Sequence, residues 1–120
     1  RLAQPLKVKD LEGYAAMQRR LLRAAVGLLR GDGGVLVYST CTIDPLENEA
    51  VVRHALDAYP CLRLVDASAQ AVHGRQRLGR PGLDGFGLSE AERRMVLRFD
   101  PADEEVDSIG FFIAKFTKEA

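Results

Sequence analysis

Thr40-Cys41-Thr42 is the stretch of this 120-residue chain whose residue types fit covalent chemistry. A cysteine reacts as its thiolate, so it needs an accessible and electropositive setting. The neighbouring sequence describes one. Val35 to Tyr38 is a short apolar run, β-branched at two positions and entered through Gly33-Gly34, as a strand inside a sheet reads. Signals of a helix start follow the cysteine. Asp44 suits an N-cap and Pro45 the first helical position, and Glu47 stands where its carboxylate reaches back to the cap's N–H. Cys41 is thus expected at the carboxyl end of a buried strand, beside a helix N-terminus that favours thiolate over thiol. Thr40 and Thr42 are expected to orient this loop through hydroxyl-to-backbone hydrogen bonds. Glu47 and Asn48 read as capping and bracing groups ahead of direct substrate contacts.

Other reactive side chains have plainer readings. Cys61 opens a later strand as a small hydrophobe. His54 sits mid-helix among valine, arginine and alanine, an ordinary surface position. Ser68 to Leu88 holds five glycines, one proline and no apolar period, and connections of that length inside a domain are functional or disordered. It carries Arg75, Arg77 and Arg80 beside His73 with no acid until Asp84, a set suited to nucleic-acid phosphates.

The elements that position these groups follow from periodicity. Leu11 to Arg30 is patterned as a helix, with Tyr14, Met17 or Gln18, Leu21, Leu22, Ala25, Val26 and Leu29 on one stripe and Arg19, Arg23 and Arg30 opposite. Gly31 is placed to end it in the left-handed region, and Asp32-Gly33-Gly34 turns the chain into the strand. A second helix is expected over Leu46–Ala58, burying Ala50, Val51, Ala55 and Leu56, and Pro60 stops it. Leu62–Ala67 reads as a strand. Ser89 caps a short helix with Glu92 at the capping-box position. Asp100–Asp107 is an acidic turn, and Ser108–Phe116 is a strand apolar on both faces. Helices alternating with buried strands mean an α/β fold with helices on both sheet faces.

Composition narrows the function. The hydrophobic share is 47%, enough for a core. Seventeen Lys+Arg balance seventeen Asp+Glu, so a nucleic-acid surface has to be local. Two cysteines without a secretory signal suggest free thiols in a reducing, cytoplasmic compartment. No run approaches membrane-spanning length, and no metal site is expected. The chain opens on Arg1, which reads as an excised or incomplete segment.

The order of residues in Ser39-Thr40-Cys41-Thr42-Ile43-Asp44-Pro45-Leu46-Glu47-Asn48-Glu49 resembles the nucleophile motif of Sun-family RNA cytosine-5 methyltransferases. Arg98-Phe99-Asp100-Pro101 and the run Asp107 to Phe116 resemble later family segments, the second being its closing strand. These segments, with Tyr59-Pro60-Cys61-Leu62, are most similar to a human transfer-RNA methyltransferase of the family. Many members have Pro-His after the arginine, whereas here Asp100-Pro101 is followed by Ala102. The resemblance implies the carboxyl-terminal half of a Rossmann-like, S-adenosylmethionine-dependent fold whose last strand inserts antiparallel, with residues 1–120 forming part of a catalytic domain. It implies that Cys41 is the nucleophile, that Thr40, Thr42, Pro45, Glu47 and Asn48 support its loop, and that RNA, in particular tRNA, is the partner. It also implies a Pro-Cys motif before Arg1, whose cysteine assists product release beside an acid that protonates the ring, and an upstream cofactor site. No glycine-rich turn here lies between a strand and a helix, since Gly31-Asp32-Gly33-Gly34 precedes a strand. The isolated chain is therefore expected to be inactive and to bind no cofactor. Two other readings remain: a non-catalytic RNA-binding or scaffolding remnant, and a cysteine hydrolase or amidotransferase. The hydrolase lacks the glycine-flanked elbow and partner histidine that such enzymes use.

Overall fold

A computed structural model describes residues 8–67, 79–100 and 110–119 of the chain, with side chains from residue 16 onward. The elements run α1 (Val8–Leu28), β1 (Gly34–Thr40), α2 (Glu49–Ala58), β2 (Leu62–Val65), α3 (Glu90–Met95), β3 (Leu97–Phe99) and β4 (Phe111–Lys118). The last strand is the centre of the sheet. β4 pairs antiparallel with β1 along one edge, from Gly34↔Lys118 to Thr40↔Phe112. Its other edge is shared end to end, with β2 pairing over Leu62↔Lys118 to Val65↔Lys115 and β3 over Leu97↔Ile113 to Phe99↔Phe111. β1, β2 and β3 therefore run parallel to one another with β4 reversed between them, which is the antiparallel insertion expected.

Strand alternation decides what is buried. Tyr38 and Thr40 of β1, Leu62 and Leu64 of β2, and Phe112, Ala114 and Phe116 of β4 share one face. Leu22 and Val26 of α1 and Val51, Val52 and Ala55 of α2 close over it as a single core. Phe112 and Phe116 are fully buried, each contributing about 2–3 kcal/mol of transfer free energy. The opposite face is open among the described residues, where Val35 is 51% and Val37 57% exposed. Helices on both faces were expected. Among the described residues, α1, α2 and Met95 of α3 all belong to the same core.

Several boundaries differ from the sequence pattern for physical reasons. α1 begins at Val8 and ends at Leu28, and among the described side chains of its apolar stripe Leu22 and Val26 are buried, while Met17 and Leu21 stay exposed. The left-handed glycine after α1 is Gly33 rather than Gly31. Gly34 is needed for space, because a Cβ there would stand 2.6 Å from the Arg30 carbonyl oxygen.

The largest correction concerns the start of α2. Asp44 does not cap it. The Asp44 N–H is taken by Thr42 Oγ1 at 3.1 Å rather than by Glu47, and Asp44 Oδ1 accepts from the Leu46 N–H at 3.0 Å. This Asx turn closes a separate turn over 45–48, and regular helix begins at Glu49. The capping box expected for α3 is present, with Ser89 Oγ accepting from Glu92 N and Glu92 Oε1 accepting from Ser89 N. β3 was not anticipated, because three residues are too few to show a period. The connection over 68–78 and the acidic segment over 101–109 lie outside the described residues.

Candidate active site

Cys41 follows directly on Thr40, the last residue of β1, and is exposed. The residues on either side of it are held by one buried side chain. Asn48 Oδ1 accepts from the Thr40 hydroxyl at 2.6 Å, and Asn48 Nδ2 donates to the Thr42 carbonyl at 2.9 Å. The amide of Asn48 thus bridges the residues before and after the cysteine. Tyr38, two residues upstream, donates its hydroxyl to the Glu47 carbonyl at 2.6 Å, so the strand also holds the far end of the loop. Pro45 contributes through its carbonyl, which accepts from Asn48 N and Ala50 N. Thr40, Thr42, Pro45, Glu47 and Asn48 therefore converge on one loop around Cys41. The part expected of the helix start changes, since regular helix begins eight residues after the cysteine.

Two features gave no clear signal in the sequence. Glu49 is fully buried and meets Arg98 of β3 in a two-pronged ion pair, Nε to Oε2 at 2.8 Å and Nη2 to Oε1 at 2.9 Å. Arg98 Nη1 donates to the Ile43 carbonyl at 2.9 Å and to Asp100 Oδ1 at 3.1 Å, so the same guanidinium grips the cysteine loop. Leu83 N completes the set by donating to Glu49 Oε2 at 2.7 Å. Gly82 makes that approach possible, since a Cβ there would stand 2.9 Å from Val96 Cγ2 and 3.2 Å from Glu49 Cγ. Burial alone would lower the pKa of Arg98, but the hydrogen bonds and charges of Glu49 and Asp100 outweigh it and raise it. A hint lay in the sequence: one arginine inside the apolar run Val96–Phe99 needs a buried acid.

The carboxyls of the loop are less settled. Glu47 is buried and its pKa is pushed up, first by burial and then by the charge of Asp44. Asp44 Oδ2 is itself buried without a hydrogen-bond partner among the described residues. Tyr38 is pushed up by burial and by the Glu47 carboxylate. Arg80 bridges the backbone of Arg98 through bonds of 2.7 and 2.9 Å. Arg75 and Arg77 lie outside the described residues. Cys61 is half-buried against the core and His54 half-exposed on α2. Among the described residues no group of three His, Cys, Asp or Glu could hold a metal, and no helix is long and apolar enough to cross a membrane.

Parallel strands with a reversed last strand between them, and a braced cysteine loop at a strand's carboxyl end, define the carboxyl-terminal part of a Rossmann-like methyltransferase fold. A crystal structure of a methyltransferase homologue from Pyrococcus horikoshii matches it with a TM-score of 0.76 at 35% identity, over 94% of this chain and 33% of that one. The family model for the 16S rRNA methyltransferases RsmB/F matches residues 4–117, and the chain belongs to that family. The rRNA (cytosine-C(5))-methyltransferase NOP2C of Arabidopsis thaliana is 47% identical over 120 residues, covering 92% of this chain and 18% of that protein. The human tRNA (cytosine(72)-C(5))-methyltransferase NSUN6 is 41% identical over 133 residues, covering 92% of this chain and 27% of its own length. The chain therefore spans about a fifth to a quarter of these relatives, and the Sun-family resemblance of its motifs is borne out.

Proposed function

We propose that this chain is the nucleophile-bearing part of a cytoplasmic RNA cytosine-5 methyltransferase, with a transfer RNA as substrate and Cys41 as the catalytic residue. Carbon 5 of cytosine is a poor nucleophile. Addition of the Cys41 thiolate to carbon 6 forms an S–C6 bond and shifts the C5=C6 electron pair into the ring, leaving carbon 5 enamine-like. That pair forms the C5–methyl bond; a base then removes the C5 proton, the C5–H electrons re-form C5=C6, and the S–C6 bond breaks with its pair leaving on the Cys41 sulfur. The base has to be flipped out or already single-stranded to reach an exposed strand-end cysteine.

The observation that carries this reading is the clamp of Asn48 on Thr40 and Thr42, which fixes an accessible thiol while leaving it free to react. The Arg98–Glu49 pair secures the same loop from β3. Relatives named as tRNA and rRNA cytosine-C5 methyltransferases support the substrate class. S-adenosylmethionine would supply the methyl group, but the described residues do not fit it. The glycines of the turn before β1 serve chain packing, with Gly33 N bonded to the Lys118 carbonyl at 2.9 Å and Gly34 pressed on Arg30. Residues 1–120 are accordingly read as part of a larger catalytic domain, with the cofactor held elsewhere in it. The exposed Met17, Leu21, Leu28, Val35 and Val37 support this, being apolar surface that a larger domain would cover. The test is Cys41→Ala in the complete protein, expected to abolish methyl transfer to tRNA while binding survives. Retained methylation would overturn the assignment. A complete protein that binds tRNA but methylates none of it would favour a non-catalytic remnant.

A further inference from the structure

A groove between α1 and the end of α2 is lined by Arg19, Arg20, Arg23, His54, Ala58 and Tyr59. Three guanidinium groups fall within five residues of one helix, all exposed, in a chain whose total charge is zero. None of the three has a carboxylate partner among the described residues. No acid stands one helical turn from any of them in the sequence, where i±3 and i±4 neighbours would pair. The acid nearest in α2, Asp57, is held by Arg53 at 2.8 Å, and Glu92 by the same arginine at 3.0 Å. Asp32, the next acid after α1, pairs with Arg30. Opposite the arginines, His54 and Tyr59 meet edge to face with ring centroids 6.4 Å apart.

We infer that this groove binds the phosphate backbone of the substrate RNA, outside the cysteine site. Unpaired arginines along an open groove, facing aromatic rings, are the chemistry that tracks a nucleic-acid strand. An extended polyanion fits an open groove better than a small anion does, because no side chain closes over it. α2 separates the two places. Asn48 at its start clamps the cysteine loop, and Tyr59 at its end lines the groove. Ten helical residues put them roughly 15 Å apart. RNA reaching both is held at a second point, which gives affinity and register without touching the target base. The inference rests on the RNA reading above.

The experiment uses the complete protein, unfractionated tRNA, and a pool of tRNA transcripts made with 5-fluorocytosine. In the variant with Arg19→Gln, Arg20→Gln and Arg23→Gln, the slope of log affinity against log salt should become shallower by about two units. A variant with lysine at the same three positions should keep the parent slope, which separates lost charge from lost fold. At saturating transcript and low salt, the glutamine variant should form the covalent adduct to the parent's extent. An unchanged slope in the glutamine variant, with a parent that binds tRNA and forms the adduct, would overturn the groove alone. A parent that shows no salt-dependent tRNA binding would overturn the groove and the RNA reading together.

Discussion

Arg98→Met in the complete protein removes the guanidinium that both neutralises Glu49 and holds the Ile43 carbonyl. The Glu49 carboxylate would be left fully buried with the Leu83 N–H as its remaining partner. Removing one member of a buried pair costs about 3–5 kcal/mol, because the surviving charge stays desolvated. Adding Glu49→Leu removes that charge. What remains is an unpaired Leu83 N–H and Ile43 carbonyl, about 1–3 kcal/mol each, and an Asp100 carboxylate left to partial solvation, offset by new apolar burial. The double variant should therefore lie within about 2 kcal/mol of the parent, with a coupling energy of about 2 kcal/mol or more. Activity should behave differently. The cysteine loop stays untethered at Ile43 in both variants, and misplacement by about 1 Å can cost about 100-fold in rate. Urea titrations with a constant slope would measure stability, and single-turnover adduct formation on 5-fluorocytosine RNA would measure chemistry. A loss below about 1 kcal/mol for Arg98→Met, or strictly additive losses, would refute the role of the pair. Recovery of rate along with stability would refute the tether.

The pKa of Glu47 is raised in the folded protein, so the folded state holds that proton to higher pH than the unfolded chain does. The charged form therefore costs stability above the folded pKa, and stability is regained as pH falls through it. Glu47→Gln should be more stable than the parent near neutral pH, with the advantage shrinking toward the ordinary carboxylate range; urea midpoints against pH would show it, and an unchanged pH slope would refute it. Replacing Arg75, Arg77 and Arg80 with Gln should flatten the salt dependence of RNA binding by up to about one unit per lost contact, and unchanged affinity and slope would mark the segment as a plain connection. The isolated 120-residue chain should bind no S-adenosylmethionine by calorimetry and show weak amide-exchange protection over Val35–Ser39, whose strand has β4 on one edge alone among the described residues. Micromolar binding, or strong protection in a monomer, would contradict this.

Much of the sheet was legible because local chemistry and tertiary packing agree there. The run Val35–Tyr38 became β1, Leu62–Val65 became β2, and Ser89 with Glu92 capped α3 as their spacing required. The failures lie where long-range contacts override local signals. Asp44, Pro45 and Glu47 spell a capped helix, yet Thr42 takes the Asp44 N–H and delays the helix to Glu49. Asn48 then bridges the flanks of Cys41 instead of continuing a helical face. Arg98 and Glu49 are 49 positions apart, and no periodicity joins an acid at a helix start to an arginine in a three-residue strand. Met17 and Leu21 are patterned for burial but exposed, because an apolar stripe records what the helix can cover and not what lies beneath it.

The most direct measurement is to map the covalent adduct formed with RNA carrying 5-fluorocytosine, whose C5–F bond blocks loss of the C5 substituent and so traps the S–C6 bond. Digestion and mass spectrometry of the denaturation-resistant complex should find the nucleotide on Cys41, none on Cys61, and no complex from the Cys41→Ala variant. An adduct that persists in that variant, or one that maps to another residue, would contradict the placement of the chemistry at Cys41.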